Sequence, residues 1–378
     1  MTVTALAAGP PWLLAQRNLT QDGLRLGLSV LGIALAVMLI LFILGLRAGV
    51  FKGARAYLDN SPGSVVVMPA GVKSTMAVSG KHLPAGVTGA VARMDGVASV
   101  TPVLRTSAIP DLHGKKEYIV VVGYEPALGG GPWRLSSGRE PTVDDEVVLD
   151  RTLARRHGFT VGDTLVISGR QLRVVGLSSG TNSWVGSYVF ARKAAVEALA
   201  LAPDAANMLL VTPASGVGAD ELAARLRSLP DISASTKSEV ITNDEMVLAG
   251  VFDQVLMLMV VVAFVVGALV VSIVIYTATV ERQREYGVLK AMGARNRVLY
   301  GVVLLQAMIT AGFGVLLGIG LAYAMGQLVI GLRPQFLVSI EAPAIGVTLG
   351  VGIVMALLGA LAPAKAIAGL APADVFRR

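Results

Sequence analysis

The sequence predicts a membrane protein of four transmembrane helices, with an α/β extracytoplasmic domain inserted between the first and the second. Three observations carry that prediction. Residues 26–46, 254–280, 300–330 and 342–364 contain no Asp, Glu, Lys or Arg, and each stretch meets or exceeds the ~20 apolar residues that cross a ~30 Å hydrocarbon core. Residues 47–250 are a different material, with charges of both signs, turn residues and alternating apolar strands. Between the second and third apolar stretches, Arg282, Arg284, Lys290, Arg295 and Arg297 stand against only Glu281 and Glu285. Short loops rich in Lys and Arg stay on the cytoplasmic side, so in a multi-pass protein of the cell membrane this hairpin and both termini are expected in the cytosol and the inserted domain outside.

Composition agrees with a chain that is part membrane and part water-exposed. Of 378 residues, 54% are hydrophobic and 15% charged, with a mean hydropathy of +0.68, too apolar for an ordinary soluble domain. The formal charge of +7 sits beside the apolar stretches, where topology accounts for it, so no nucleic-acid partner is expected. There is no cysteine, which removes disulfides and thiolate metal sites.

Within residues 1–25, Pro10–Pro11 is followed by WLLAQRNLTQDGLRL, in which Trp12, Leu13, Leu19 and Leu26 can face lipid while Arg17, Asp22 and Arg25 stay wet. This reads as a cytosolic, interfacial helix. Residues 26–46 form the first span, about 31 Å long at 1.5 Å per residue, too long for the apolar region of a cleavable signal.

Within 47–250, a helical pattern at 87–94 is followed by Asp95–Gly96 and a strand-like run from Val97, and another at 219–229 by Pro230–Asp231 and a run from Ile232. With strand-like 118–122 and 208–211 these suggest two β-α-β halves, about 85–124 and 199–245. A β-rich segment, about 133–198, interrupts them. There Gly162–Asp163 supplies turn chemistry ahead of a strand at 164–167.

In the third span Gly314 and Gly318, and in the fourth Gly346 and Gly350, have the small-xxx-small spacing that lets helices approach closely. The outer loop between them carries Arg333 as its only basic residue, which fits the orientation.

The hairpin is expected to hold a short amphipathic helix over 282–292. Glu281 with Arg284, and Arg282 with Glu285, stand three apart and can pair on a helix surface. Tyr286, Leu289, Ala291 and Met292 give an apolar face, and Gly293 suits the left-handed C′ position. The string ERQREYGVLKAMGA resembles the E-R-x-x-E-x-G-x-L-x-A-x-G-A signature of the FtsX/MacB-type permeases of ABC systems, with Tyr286 where that family often has Ile. The start A-x-R-N-L, the segment GREPTVDDEVVLDRTLARRHGFTVGDTLVISGRQLRVVGL and the tail PAKAIAGLAPADVFRR resemble the same family, so the likeness covers essentially the whole chain. It implies an outer domain of the MacB periplasmic core type and an FtsX-like region at 251–378. It also implies an ATPase-coupling helix in which Glu281, Arg282, Glu285, Tyr286, Leu289, Lys290, Met292 and Gly293 form the docking element.

No phosphate-cradle motif G-x-x-x-x-G-K-[ST] occurs, so ATP is expected on a separate ABC ATPase, as in subunits of the DevC or LolC/LolE kind. This chain is expected to bind no cofactor and no metal and to be no enzyme itself. His82, His113 and His157 lack ligand spacing, and Asp144–Asp145–Glu146 reads as an acidic turn before a strand. The expected function is an ABC permease subunit, working as a homodimer or paired permease, that couples ATP hydrolysis to movement of the outer domain. Its substrate would be lipophilic or from the envelope, exported or extracted. Membrane lipids and an optional periplasmic adaptor are the remaining partners. An FtsX-like regulator of a cell-wall enzyme and an ATPase-independent receptor or scaffold are the alternatives.

Overall fold

The structure, a computed structural model, describes residues 23–183, 186–281, 283–291, 296–333 and 336–368. The chain divides into two compact units, one of them Gly49–Asp253 with Arg333–Leu337.

That unit is built on one sheet. Its strands are β1 (Val65–Pro69), β2 (Val97–Ala108), β5 (Ile119–Tyr124), β6 (Leu135–Gly138), β7 (Glu146–Asp150), β8 (Thr164–Ile167), β9 (Arg170–Ser178), β10 (Asn182–Ser183), β11 (Gly186–Arg192), β12 (Met208–Pro213) and β13 (Ile232–Thr236); β3 (Asp111–Leu112) and β4 (Lys115–Lys116) form a separate hairpin. The sheet order is β13-β1-β12-β2-β5-β11-β7-β9-β6, with β10 on β11 and β8 on β9. The strand expected at 164–167 is β8.

The two β-α-β halves interleave. β1 leads through α2 (Val87–Ala92) to β2, and β12 leads through α5 (Ala219–Leu226) to β13. β12 lies between β1 and β2, β1 lies between β12 and β13, and each neighbouring pair is antiparallel. This corrects the sequence expectation for the first half. Its opening strand is β1, ahead of 85, and the run at 118–122 becomes β5. β5 pairs with the second half of β2, Leu104↔Gly123 to Ala108↔Ile119, while the first half of β2 pairs with β12. β2 is long enough to serve both partners, and so it joins the repeat to the inserted strands.

Strands buried on both faces read as continuous apolar runs, and VVVMP is one. Along β1, Val66 and Met68 face one core while Val65 and Val67 face another; along β12, Met208 and Leu210 alternate likewise with Leu209 and Val211. The Val65 side is covered by Val91 of α2 and Leu222, Ala223 and Leu226 of α5. Farther along the sheet, the same alternation sends Val121, Leu149 and Val189 against α3 (Arg151–His157) and α4 (Lys193–Ala200). α3 is capped at its start by Asp150, which accepts from Thr152 N at 2.7 Å, and ends on Gly158 at φ 75°, the left-handed position where Gly carries no Cβ penalty.

The long helices are α1 (Gly23–Asp59), α6 (Lys237–Glu281), α8 (Asn296–Leu332) and α9 (Ala342–Ala368), joined between α6 and α8 by the short α7 (Gln283–Ala291). Each long helix contains a stretch apolar and long enough to cross a membrane. α1 and α6 are 37 and 45 residues long, so they continue as helix well past the residues needed to span.

The other unit contains the described residues up to Ala48, Gln254–Leu332 and the described residues from Val338. Its core joins Ile33 and Val37 of α1, Val271 of α6, Val303, Ala307, Ala311 and Val315 of α8, and Ala356 and Ala360 of α9. The expected Gly314–Gly318 pair is a close seam. A Cβ on Gly314 would stand 2.6 Å from Ile33 Cβ, and one on Gly318 2.7 Å from Ala34 O. The expected seam at Gly346 and Gly350 is not there, since neither has an atom within 4 Å of its Cβ position. α9 packs instead through Gly352 on Val315 and Gly359 on Val271, at 2.5 and 2.6 Å.

Candidate functional site

The sequence points to 281–293 as the coupling element. α7 occupies Gln283–Ala291, with Arg284, Val288 and Ala291 exposed on one arc of its surface, as their spacing of four and three requires. Glu281 is exposed at the end of α6 and Lys290 is half-buried. Arg282, Met292 and Gly293 lie outside the described residues, as do the side chains of Glu285, Tyr286 and Leu289.

A second candidate feature is where α1 ends and α6 begins, and sequence reasoning missed it. Tyr57 and Leu58 of α1, and Val240 and Ile241 of α6, join Val66, Met68, Val122, Phe190 and Leu210 in one core on the sheet face opposite α2 and α5. Burying such side chains contributes about 1.5–3 kcal/mol each, so both helix roots are fixed to the sheet. Val50, Ala54 and Leu248 form a smaller contact between the two helices.

Polar groups tie the roots down further. The start of α6 is a reciprocal capping box, in which Thr236 N donates to Glu239 Oε2 at 2.9 Å and Glu239 N donates to Thr236 Oγ1 at 3.2 Å. The string TKSE signals that box in sequence. Lys237 Nζ donates to Ser61 O at 2.7 Å, just past the end of α1; burial pulls its ammonium below the ordinary lysine range, with Asp59 acting the other way. Two turns later on α6, the buried carboxylate of Asp244 accepts from Ser74 Oγ, Thr75 N and Thr75 Oγ1 at 2.6, 2.8 and 2.7 Å.

Around the root of α1 stands an aromatic cluster. Tyr57 stacks on Tyr188 at 5.8 Å, Trp133 sets its edge against Tyr57, Tyr188 and Phe190, and the Arg105 guanidinium lies 5.8 Å over Tyr57 and 5.4 Å over Tyr188. Such stacking and cation–π contacts add to area burial. Tyr57 Oη donates to Gly130 O at 2.9 Å, and burial pushes its phenol above the usual tyrosine range, against the pull of Arg105. α1 is thereby joined to both the interleaved repeat and the inserted strands.

Among the described residues no cluster of His, Asp and Glu could hold a metal. His82 and His113 are exposed, whereas His157 is buried with Nδ1 3.1 Å from Leu112 O, a structural role. The acidic turn is internally paired: Asp144 meets Arg192 at 3.1 Å, and Glu146 is held by Arg139 and by Thr142 N at 2.8 Å. Those hydrogen bonds, Arg139 first, hold the Glu146 carboxyl down at about 2.

Residues 26–229 match the MacB-like periplasmic core domain, and residues 257–372 match the FtsX-like permease C-terminal region. Two Mycobacterium tuberculosis proteins named "Uncharacterized ABC transporter permease" are each 25% identical to this chain. One match takes in 93% of this chain and 95% of the relative, the other 96% and 98%. The macrolide export ATP-binding/permease protein MacB of Rhodopseudomonas palustris is 23% identical over 94% of this chain and 58% of its own length. Among solved structures, the periplasmic region of MacB from Actinobacillus actinomycetemcomitans aligns with a TM-score of 0.37 at 17% identity, over 48% of this chain and 92% of that one.

Proposed function

This chain belongs to the family of membrane proteins that carry a MacB-like periplasmic core domain and an FtsX-like permease region, and from that membership we propose that it is the permease subunit of an ABC transporter, driven by a separate cytosolic ATPase. The observation that carries the mechanical part of this reading is the rooting of α1 and α6. Each is one unbroken helix that contains a membrane span, and each ends in the same core on one face of the sheet. A tilt of either helix therefore loads the sheet through well-packed side chains, which yield little. The spans contain no Asp, Glu, Lys, Arg or His, whereas a solute path through a membrane is normally marked by one; a transmitter of motion fits better than a channel.

In this reading α7 docks on the ATPase, both termini are cytosolic, and the core domain lies outside, where it exports or extracts a lipophilic or envelope substrate. The separate ATPase is supported by the missing phosphate-cradle motif in these 378 residues and by the near full-length match to relatives named as permeases. Two permeases pair, a proposal supported by the open glycines Gly346 and Gly350 and by α6, whose apolar window is only 17% buried.

The test is Leu289→Asp, which would place an unpaired charge in a desolvated contact at a cost of about 3–5 kcal/mol. The tagged permease should insert normally but lose the ATPase on purification, and ATP turnover in nanodiscs should fall. Unchanged association and turnover would remove α7 as the docking element.

A further inference from the structure

Gly45, Gly49 and Gly53 stand four residues apart on α1, a spacing that puts them on one face. Glycine is a poor helix former, and three in nine residues need a compensating reason. The structure supplies one, because the segment between α8 and α9 is seated on these glycines. A Cβ on Gly49 would stand 1.8 Å from Leu337 O, closer than any side chain permits; one on Gly53 would stand 3.2 Å from Ser183 Cβ and 3.4 Å from Leu337 Cδ1, so that glycine is shared with β10. At Gly45 the Cβ position is 3.1 Å from Ile340 Cγ1 and 3.2 Å from Val338 Cγ1, and Ser339 N donates to Gly45 O at 2.9 Å. Val338 also reaches α8, its Cγ1 lying 3.4 Å from the Cβ position of Gly326. The segment thus meets α1 by backbone atoms at Gly45 and Gly49, with side chains beside them, and α8 by the side chain of Val338.

We propose that residues 336–340 are a strap that ties the α8–α9 turn to α1, with Gly45 and Gly49 as positioning residues that let the two backbones touch. Displacement of the α8–α9 pair then reaches α1 through backbone contact at Gly45 and Gly49, and α1 carries it to the root at Tyr57. This rests on the reading that the transporter works by moving α1.

The test is hydrogen exchange on the full chain in nanodiscs with its ATPase, with and without ATP and vanadate. In the native protein the peptide covering 336–340 should exchange slowly, and nucleotide should change exchange in the core domain. Gly49→Leu should speed exchange of 336–340 about tenfold or more and abolish the nucleotide response of the core domain while ATP hydrolysis continues. Ser339→Pro, which leaves α1 untouched and removes the donor to Gly45, should act in the same direction. Gly27→Leu, at a site with open space, should do neither. Fast exchange of 336–340 in the native protein overturns the strap and leaves the transport reading standing. So does a freed strap with an intact nucleotide response. A protected strap in a native complex that shows no nucleotide response overturns the transport reading, and the transmitting role with it.

Discussion

Ser74 Oγ donates a 2.6 Å hydrogen bond to Asp244 Oδ1 across 170 residues of sequence. Ser74 also accepts from Met76 N at 3.2 Å, so one hydroxyl closes the turn after β1 and fastens it to α6.

Asp244→Ala removes the acceptor for three buried donors, each of which costs about 1–3 kcal/mol when left unpaired. The core domain should lose about 3 kcal/mol or more of stability, read by urea unfolding, with faster exchange at 74–77. Asp244→Asn, which keeps one carbonyl oxygen, should lose less.

Glu146 gives a prediction in pH. Its folded carboxyl sits at about 2 against an ordinary 4.5, so its contribution is fully present above about 4.5 and fades as pH falls toward 2. Exchange of the 139–150 segment should accelerate across that window. Glu146→Gln should exchange faster at neutral pH and lose the acid dependence.

Orientation can be read directly, because the chain has no cysteine. With an impermeant maleimide in intact cells, Lys115→Cys, exposed on the β3–β4 hairpin of the core domain, should label. Arg284→Cys, exposed on α7, should label only after the membrane is opened. The reverse pattern would invert the topology.

The glycine seams separate packing within one chain from packing between chains. Gly318→Val sets new atoms against Val37 and Ala34 O at 2.6 and 2.7 Å, and overpacking of that kind costs about 1–3 kcal/mol; melting in detergent should drop. Gly350→Val meets nothing within 4 Å, so the single chain should melt as before. If that face meets a second permease, the dimer fraction on native mass spectrometry should fall.

How much was legible in the sequence differs by element. An uncharged run of 20 or more residues crosses a bilayer whatever it packs against, so the four spans were readable one by one. β8 was readable for a similar reason, since its turn chemistry at Gly162–Asp163 is local. The capping box Thr236–Glu239 was equally local, four letters that fix the start of α6. The α7 segment was legible as a motif, yet its paired charges and apolar face lie mostly on side chains outside those described.

What tertiary structure alone decided is non-local. The run VVVMP has no polar side to orient it, so no sequence periodicity could make β1, rather than 118–122, the strand that completes the first half. The cores on its two faces made that choice. Charge at Arg47 and Asp253 marks where α1 and α6 leave an apolar stretch, but a helix ends where its backbone loses its partners, and the sheet face that receives Tyr57 and Ile241 extends both helices beyond the charges. Small-residue spacing names helix faces that can approach closely, and it does so identically at Gly314–Gly318 and Gly346–Gly350. Only the path of α1 beside α8 made the first a seam, because close approach needs a second backbone as well as the absence of a side chain.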